Sequence, residues 1–106
     1  MEYKKGNITK EIAGLVGLAI RAGSVALGMA EVKKSIEKGR IDLVFFSEKL
    51  GSNARKQLLY YCNLNGILLV SMGPEKEWKQ LFKINQKIIG FRKGPLSLRI
   101  RNIMGV

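Results

Sequence analysis

Two apolar runs without polar alternation constrain the fold of this chain more than any other feature. The first is DLVFFS at residues 42–47, and the second is ILLV at residues 67–70. Each run has the length of a strand, and the lack of alternation predicts strands that are buried on both faces. Ser52 or Asn53 can cap a helix between them, which predicts a βαβ unit with parallel strands and a right-handed crossover. The inward face of that helix is predicted to hold Ala54, Leu58, Tyr61 and Cys62.

Helical and strand patterns alternate along the rest of the chain. Thr9 can cap a first helix with apolar residues at helical spacing from Ile12 to Ile20, and Gly23 can end it. Further predicted elements are a strand at residues 24–27, a helix at residues 30–38, a helix from Pro74 that carries Trp78, a strand at residues 87–91 and a final helix from Gly94-Pro95. This alternation predicts a single domain, residues 1–106, folded as a three-layer α/β/α sandwich around a small mixed four-stranded sheet.

The composition excludes several classes of catalyst. The chain has no histidine, so it has no Ser-His-Asp triad, no Cys-His pair and no histidine general base. Cys62 is the single cysteine, which excludes an internal disulfide and a thiolate zinc cluster and is typical of a buried residue in a reduced, intracellular protein. The sequence also lacks a dinucleotide-type glycine motif. We therefore predict a protein that is not an enzyme and needs no cofactor or metal.

The apolar stretch from Ile12 to Ile20 follows several lysines and is similar to the start of an export signal. It is too short to span a bilayer, and its helical spacing favours an internal amphipathic helix. We therefore predict a soluble, cytoplasmic protein that does not enter the membrane.

The charge is strongly positive and unevenly distributed. Lysine and arginine number 19 against 8 acidic residues, for a formal net charge of +11. Residues 41–75 are neutral overall, whereas residues 1–40 and 76–106 carry the positive excess. Such an excess favours a nucleic-acid partner, above all cytoplasmic RNA, because lysine and arginine release condensed counterions from phosphates. A solvated, solubilising surface is the simpler alternative.

The topology itself predicts where a site would lie. In open α/β sheets, binding sites gather at the carboxyl ends of parallel strands. Those ends are predicted at residues 47–49 and 71–75. The N-terminus of a neighbouring helix would add backbone N–H groups that bind phosphate.

Several segments together match a known family. They are residues 28–36 (GMAEVKKSI), residues 39–44 (GRIDLV), Tyr61-Cys62 and residues 66–70 (GILLV). From Ile12 to Phe82 this pattern resembles the ribosomal proteins that bind RNA kink-turns, of the L-seven-Ae and L-thirty-e type. Residues 18–25 (LAIRAGSV) are most similar to the bacterial YlxQ-like branch.

The resemblance implies an α/β/α sandwich that contacts RNA through the start of the second helix and the loop after the strand that follows the third helix. Gly28, Glu31 and Lys34 match the family's glycine, glutamate and lysine. Ala30 stands where the family has an asparagine, so one hydrogen-bonding arm to the guanines of sheared G·A pairs is missing, worth ~1–3 kcal/mol of discrimination. Taken without the family, Gly28 is equally explained as a turn glycine and Glu31 as a helix-capping acid.

The resemblance also implies a second contact. In the family an apolar side chain of the second loop packs against a flipped-out nucleotide, and Met72 is the candidate, with the alternative that it completes a buried strand. Arg21 and Arg40 are predicted phosphate contacts. The full predicted RNA-binding set is Gly28, Met29, Ala30, Glu31, Lys34, Arg21, Arg40, Ser71, Met72 and Gly73.

These features together predict a non-catalytic, monomeric RNA-binding protein, associated with the ribosome and translation or with structured, kink-turn-like RNA. Two other functions stay open. One is a module that docks on an acidic protein, and the other is a stand-alone relative of the substrate-recognition domains that precede RNA methyltransferases. The C-terminal basic residues are either a second RNA surface or a solvated face; they are Arg92, Lys93, Arg99 and Arg101.

Overall fold

A mixed five-stranded sheet forms the middle layer of the protein, for which a computed structural model describes residues 3–106. The strands are β1 (Lys4–Asn7), β2 (Val25–Leu27), β3 (Ile41–Ser47), β4 (Leu68–Gly73) and β5 (Ile88–Arg92). The helices are α1 (Lys10–Arg21), α2 (Met29–Glu37), α3 (Ser52–Leu64), α4 (Glu75–Glu77) and α5 (Pro95–Met104). The strand order is β1-β4-β3-β5-β2, in which β1, β4 and β3 are parallel and β5 is antiparallel to both neighbours.

Helices cover both faces of this sheet, which confirms the predicted α/β/α sandwich. Leu43 and Phe45 of β3 pack with α1 and α5 on one face, and Val44 and Phe46 pack with α2 and α3 on the other. All four side chains are fully buried, and each contributes roughly 1.5–3 kcal/mol through burial. The two-sided burial explains why this run shows no polar alternation.

The pairing of β3 with β4 is parallel, as the predicted βαβ unit requires, with Phe45 opposite Val70. The connecting helix α3 buries Cys62, and this burial raises the pKa of its thiol to about 12. Cys62 is therefore a protonated core residue, as predicted. The predicted cap at Ser52 or Asn53 is wrong, because the Gly51 carbonyl already accepts from the Arg55 backbone N–H and Gly51 is the N-cap.

The apolar stretch near the N-terminus is the buried face of α1. The hydroxyl of Thr9 accepts a hydrogen bond from the Ile12 backbone N–H at 3.2 Å, which confirms the predicted cap. Gly23 follows the helix with a φ of +70° and accounts for its end. Within residues 3–106, no helix has the length and apolar character that a membrane crossing demands.

Strand β1 was not expected, so the four-stranded prediction is wrong by one strand. β1 pairs with β4 from Lys4 opposite Val70 to Asn7 opposite Gly73. Its sequence, KKGN, lacks the β-branched and aromatic residues that favour strands, and its pairing depends on the backbone alone. An edge strand with mostly exposed side chains leaves no hydrophobic pattern in the sequence.

Trp78 anchors the segment between β4 and β5. The helix predicted from Pro74 is in fact the single turn α4 followed by a π-helical turn, Trp78–Phe82, which ends at Lys83 with a φ of +57°. Trp78 is 1% exposed, packs edge-on against Phe82 at 4.9 Å, and donates its indole N–H to the Gln86 carbonyl at 3.0 Å. Its expected role as a core residue is confirmed.

We predict that Trp78→Ala lowers the free energy of unfolding by about 3–5 kcal/mol, because it empties a large core site. It also removes the hydrogen bond to Gln86. Urea unfolding followed by circular dichroism measures the change. The exposed neighbour variant Lys79→Ala should stay within about 0.5 kcal/mol of the wild type. Equal effects of the two variants would contradict this packing.

Candidate functional site

All five strands have one terminus at the same edge of the sheet, and β1 ends there at Asn7. Strand β2 ends there at Leu27, β3 at Ser47 and β4 at Gly73, and the antiparallel β5 begins there at Ile88. We call this the carboxyl edge and the opposite one the amino edge. Helix α2 starts at the carboxyl edge directly after β2, so the predicted helix start does lie where a parallel sheet gathers its sites.

The start of α2 presents backbone donors with no side-chain cap among the described residues. Gly28 is the N-cap, with a φ of +85° that favours glycine, and its own N–H donates to the Ile88 carbonyl at 3.0 Å. The first bond inside the helix runs from the Val32 N–H to the Gly28 carbonyl. The N–H groups of Met29, Ala30 and Glu31 therefore have no acceptor within the helix and carry the positive end of its dipole.

The side chains of this first turn divide between core and solvent. Met29 is half-buried and packs on the core beneath α2, whereas Ala30, Glu31 and Lys34 are exposed. Lys33 points elsewhere, as expected: its Nζ lies 4.8 Å from the centre of the Tyr61 ring on α3. A hydrogen bond with Tyr61 raises the pKa of Lys33. Of these two lysines, Lys34 is the one left free for a ligand at the start of α2.

Two residues absent from the predicted set lie just before β5, Gln86 beside Gly28 and Lys87 beside the end of β3. The side chain of Gln86 is close enough that its Cγ would be 3.6 Å from a Cβ added to Gly28. The Lys87 carbonyl accepts from the Ser47 N–H at 2.9 Å, and its Nζ lies 3.5 Å from the Lys49 carbonyl. No motif marks Gln86 or Lys87 in the sequence. Only the antiparallel pairing of β5 between β2 and β3 brings them here.

The expectation that Met72 presents an apolar tip is wrong. Met72 is fully buried in the core on the α1 face, Ser71 is 9% exposed and Gly73 is also buried. Both neighbouring strands pair with β4 beyond its predicted end at Val70, β3 as far as Met72 and β1 as far as Gly73. Met72 then shares a sheet face with Val70, two residues earlier, and points into the core.

The segments at Gly28 and Gly73 share the carboxyl edge but are not adjacent. The ends of β5 and β3 lie between them, so their strands are roughly 14 Å apart at about 4.8 Å per neighbour. The space between is occupied in part by Glu75, whose carboxylate accepts a hydrogen bond from the Ser47 hydroxyl. Gly73 itself lies against the Glu48 side chain.

Arg21 and Arg40 do not join this site. Arg40 precedes β3 at the amino edge, and its carbonyl accepts from the Lys93 N–H at 2.9 Å. Arg21 ends α1 shortly before Ser24, whose carbonyl accepts from the Arg92 N–H at the same edge. The seven residues of β3 separate the two edges by ~20 Å, so these arginines lie at the opposite end of the sheet from the Gly28 segment.

The carboxyl edge combines both signs of charge. Lys34, Lys49 and Lys87 supply cations, and the exposed carboxylates of Glu31 and Glu48 supply acceptors. With the unpaired N–H groups of α2, this arrangement suits a ligand that offers both phosphate oxygens and hydrogen-bond donors. Within the part of the chain that the structure describes, no cluster of His, Cys, Asp or Glu could hold a metal ion.

Comparisons with known proteins identify the fold and the family. Residues 10–78, more than half of the chain, match the family of ribosomal proteins L7Ae/L30e/S12e/Gadd45. A protein with unknown function from Bacillus halodurans is similar with a TM-score of 0.80 and 23% identity, over 92% of this chain and 100% of that one. The Giardia lamblia 15.5kD RNA binding protein is similar with a TM-score of 0.71 and 17% identity, over 91% of this chain and 82% of that one. No curated protein sequence matches the chain significantly.

The family match starts with α1 and ends at Trp78, so it includes the start of α2 and the complete βαβ unit. The two solved structures add that the whole arrangement of helices and strands is shared at low sequence identity. The resemblance carried by residues 28–36 is thereby confirmed, and this chain belongs to the ribosomal protein L7Ae/L30e/S12e/Gadd45 family.

Proposed function

We propose that this chain is a non-catalytic RNA-binding protein and that the RNA lies across the carboxyl edge, against the start of α2. The main support is the first turn of α2, where no described side chain caps the backbone N–H groups and where Glu31, Lys34 and Lys87 are exposed nearby. Membership of a family of ribosomal proteins supports it, as does the fold shared with an RNA binding protein from Giardia lamblia. The net charge of +11 favours the same polyanionic partner.

The RNA backbone would be held by cations and backbone donors. The free N–H groups of the first α2 turn bind phosphate oxygens along the helix dipole. Lys34 lies one turn after Glu31 on the same face of α2, and Lys87 extends the positive charge along the edge. Such contacts position the RNA without reading its sequence.

Base recognition would fall to Glu31 and Gln86. The Glu31 carboxylate can accept hydrogen bonds from the N1–H and N2–H₂ groups of guanine, which phosphate-binding lysines cannot read. Ala30 supplies no side-chain amide at the position where the family has asparagine. The Gln86 side chain lies beside Gly28, which precedes Ala30 by two residues. We propose that the Gln86 amide takes over part of the missing hydrogen bonding.

The finer function we propose is recognition of structured RNA with sheared G·A pairs, as in a kink-turn, by a cytoplasmic protein that works with the ribosome in translation. The Gly28, Glu31 and Lys34 spacing supports this. The buried Met72 takes no part in it. Met29, at the start of α2, is the nearer apolar side chain for a splayed base.

The decisive binding experiment compares a kink-turn duplex with a plain hairpin of equal length, by fluorescence anisotropy across a salt series. We expect the kink-turn to bind more tightly than the hairpin. We also expect the logarithm of the binding constant to fall linearly with the logarithm of the salt concentration. Equal affinity for both RNAs would contradict kink-turn recognition and leave general RNA binding. No binding of either RNA would contradict the function itself.

We predict that Lys34→Gln weakens RNA binding and lowers the slope of log affinity against log salt by about 0.9, because one phosphate contact is lost. Lys33→Gln is the matched control on the same helix, since that lysine packs over Tyr61. Its slope should equal that of the wild type. Equal losses in the two variants would argue against the orientation of α2 that we assign.

We predict that Ala30→Asn tightens kink-turn binding by about 1–3 kcal/mol, because it restores an amide to the helix start. Gln86→Ala should weaken the same complex and leave the hairpin complex unchanged. The control is Ala22→Asn, an exposed alanine at the end of α1 near the amino edge. Anisotropy titrations measure all three. An Ala30→Asn variant with wild-type affinity would contradict base reading at this position.

A further inference from the structure

We infer that the protein carries a second RNA-binding surface at the amino edge, which allows one chain to hold two RNA segments. This surface, the amino-edge patch, consists of Lys38, Arg40, Arg92 and Lys93. The inference rests on the proposed RNA binding, but it concerns the other end of β3, where Arg40 and Arg92 lie ~20 Å from Gly28. The family match does not reach Arg92 or Lys93.

The backbone brings the four cations of the patch together. The Lys93 N–H donates to the Arg40 carbonyl at 2.9 Å, and Arg92 is the register partner of Ile41, the residue after Arg40. Lys38 lies at the end of α2, two residues before Arg40. All four side chains are exposed. Residues distant in sequence thus lie close together at the amino edge.

The two acidic residues nearest to the patch in the sequence, Glu37 and Asp42, form no salt bridge with its cations in the described part of the chain. The Asp42 carboxylate accepts a hydrogen bond from the Ser97 hydroxyl and lies 3.7 Å from the Arg101 guanidinium. Glu37 is exposed at the end of α2. Among residues 3–106, the single salt bridge joins Arg101 to Asp42. No cation of the patch is therefore paired with a described carboxylate.

Positive side chains on adjacent backbone segments repel one another when they are unpaired. A bound polyanion reduces this repulsion. The two arginines offer planar guanidinium groups that bind phosphate oxygens in pairs. Helix α5 begins two residues after Lys93, with no side-chain cap among the described residues, and adds its positive dipole end. The four residues of the patch are all cationic, and RNA presents the dense phosphate charge that such a surface binds.

The two surfaces differ in the recognition they allow. The start of α2 offers acceptors as well as cations, whereas the amino-edge patch offers cations alone. We therefore assign the patch to the sugar-phosphate backbone of a second helix or strand, without sequence preference. The protein measures only 31 × 27 × 24 Å, so two RNA segments held at opposite edges would be brought within about one protein diameter of each other.

The test combines three charge removals, Arg40→Gln, Arg92→Gln and Lys93→Gln, in one variant. The control variant removes three exposed lysines outside the patch, by Lys4→Gln, Lys10→Gln and Lys56→Gln, so that both variants keep the same net charge. Energy transfer between a donor-labelled kink-turn and an acceptor-labelled hairpin reports bridging by the protein. Anisotropy with the kink-turn alone reports binding at the start of α2.

We expect the wild type and the control to bridge the two RNAs at moderate salt. The patch variant should lose bridging by about tenfold or more and keep its affinity for the kink-turn within about threefold, since three phosphate contacts are removed from the second surface only. Thermal unfolding should be unchanged in both variants.

Three results would overturn the inference while leaving the proposed function intact. They are kink-turn binding by the wild type without bridging, equal loss of bridging in the patch and control variants, and a patch variant that bridges the two RNAs as well as the wild type does. A wild type that binds neither RNA would contradict the proposed function and this inference together.

Discussion

The rest of the structure depends on the burial of β3 on both faces. Its side chains from Leu43 to Ser47 are almost completely shielded from water, and the neighbouring β4 is nearly as deep. A sheet centred on such a strand must be covered by helices on both sides, because each exposed face would leave large apolar groups in water. Parallel strands with helical crossovers satisfy this requirement, and they place successive strand ends and helix starts at one edge. The candidate site is a consequence of how the core is covered.

The parts of the fold that hydrophobic pattern determines could be predicted from the sequence. The uninterrupted run of β3, the βαβ unit and the capped helix α1 have signals that are local and periodic. Strand β1 has no such signal, because Lys4 and Lys5 are exposed and only backbone hydrogen bonds pair the strand with β4. The error at Met72 arises because the pairing of β4 extends past Val70, its predicted end. β3 pairs as far as Met72 and β1 as far as Gly73, so Met72 is a strand residue whose side chain lies in the core.

The candidate site was predictable in its local part only. The run from Gly28 to Lys34 is contiguous in sequence, so its place at a helix start followed from turn chemistry and helical spacing. Gln86, Arg21 and Arg40 depend instead on which strand pairs with which. Long-range pairing put Gln86 beside Gly28 and moved Arg40 to the opposite edge, next to Lys93. Positive charge in the sequence therefore indicated the kind of partner but not the surface that meets it.

We propose that RNA contacts the protein chiefly at the start of α2. Amide chemical shifts, recorded while a kink-turn RNA is titrated into the isotopically labelled protein, would locate this contact residue by residue. We expect the largest changes on residues 28–34, further changes at Lys49, Gln86 and Lys87, and little change from Ser71 to Gly73. Changes spread evenly over the surface, or concentrated on the outer face of α3, would contradict it.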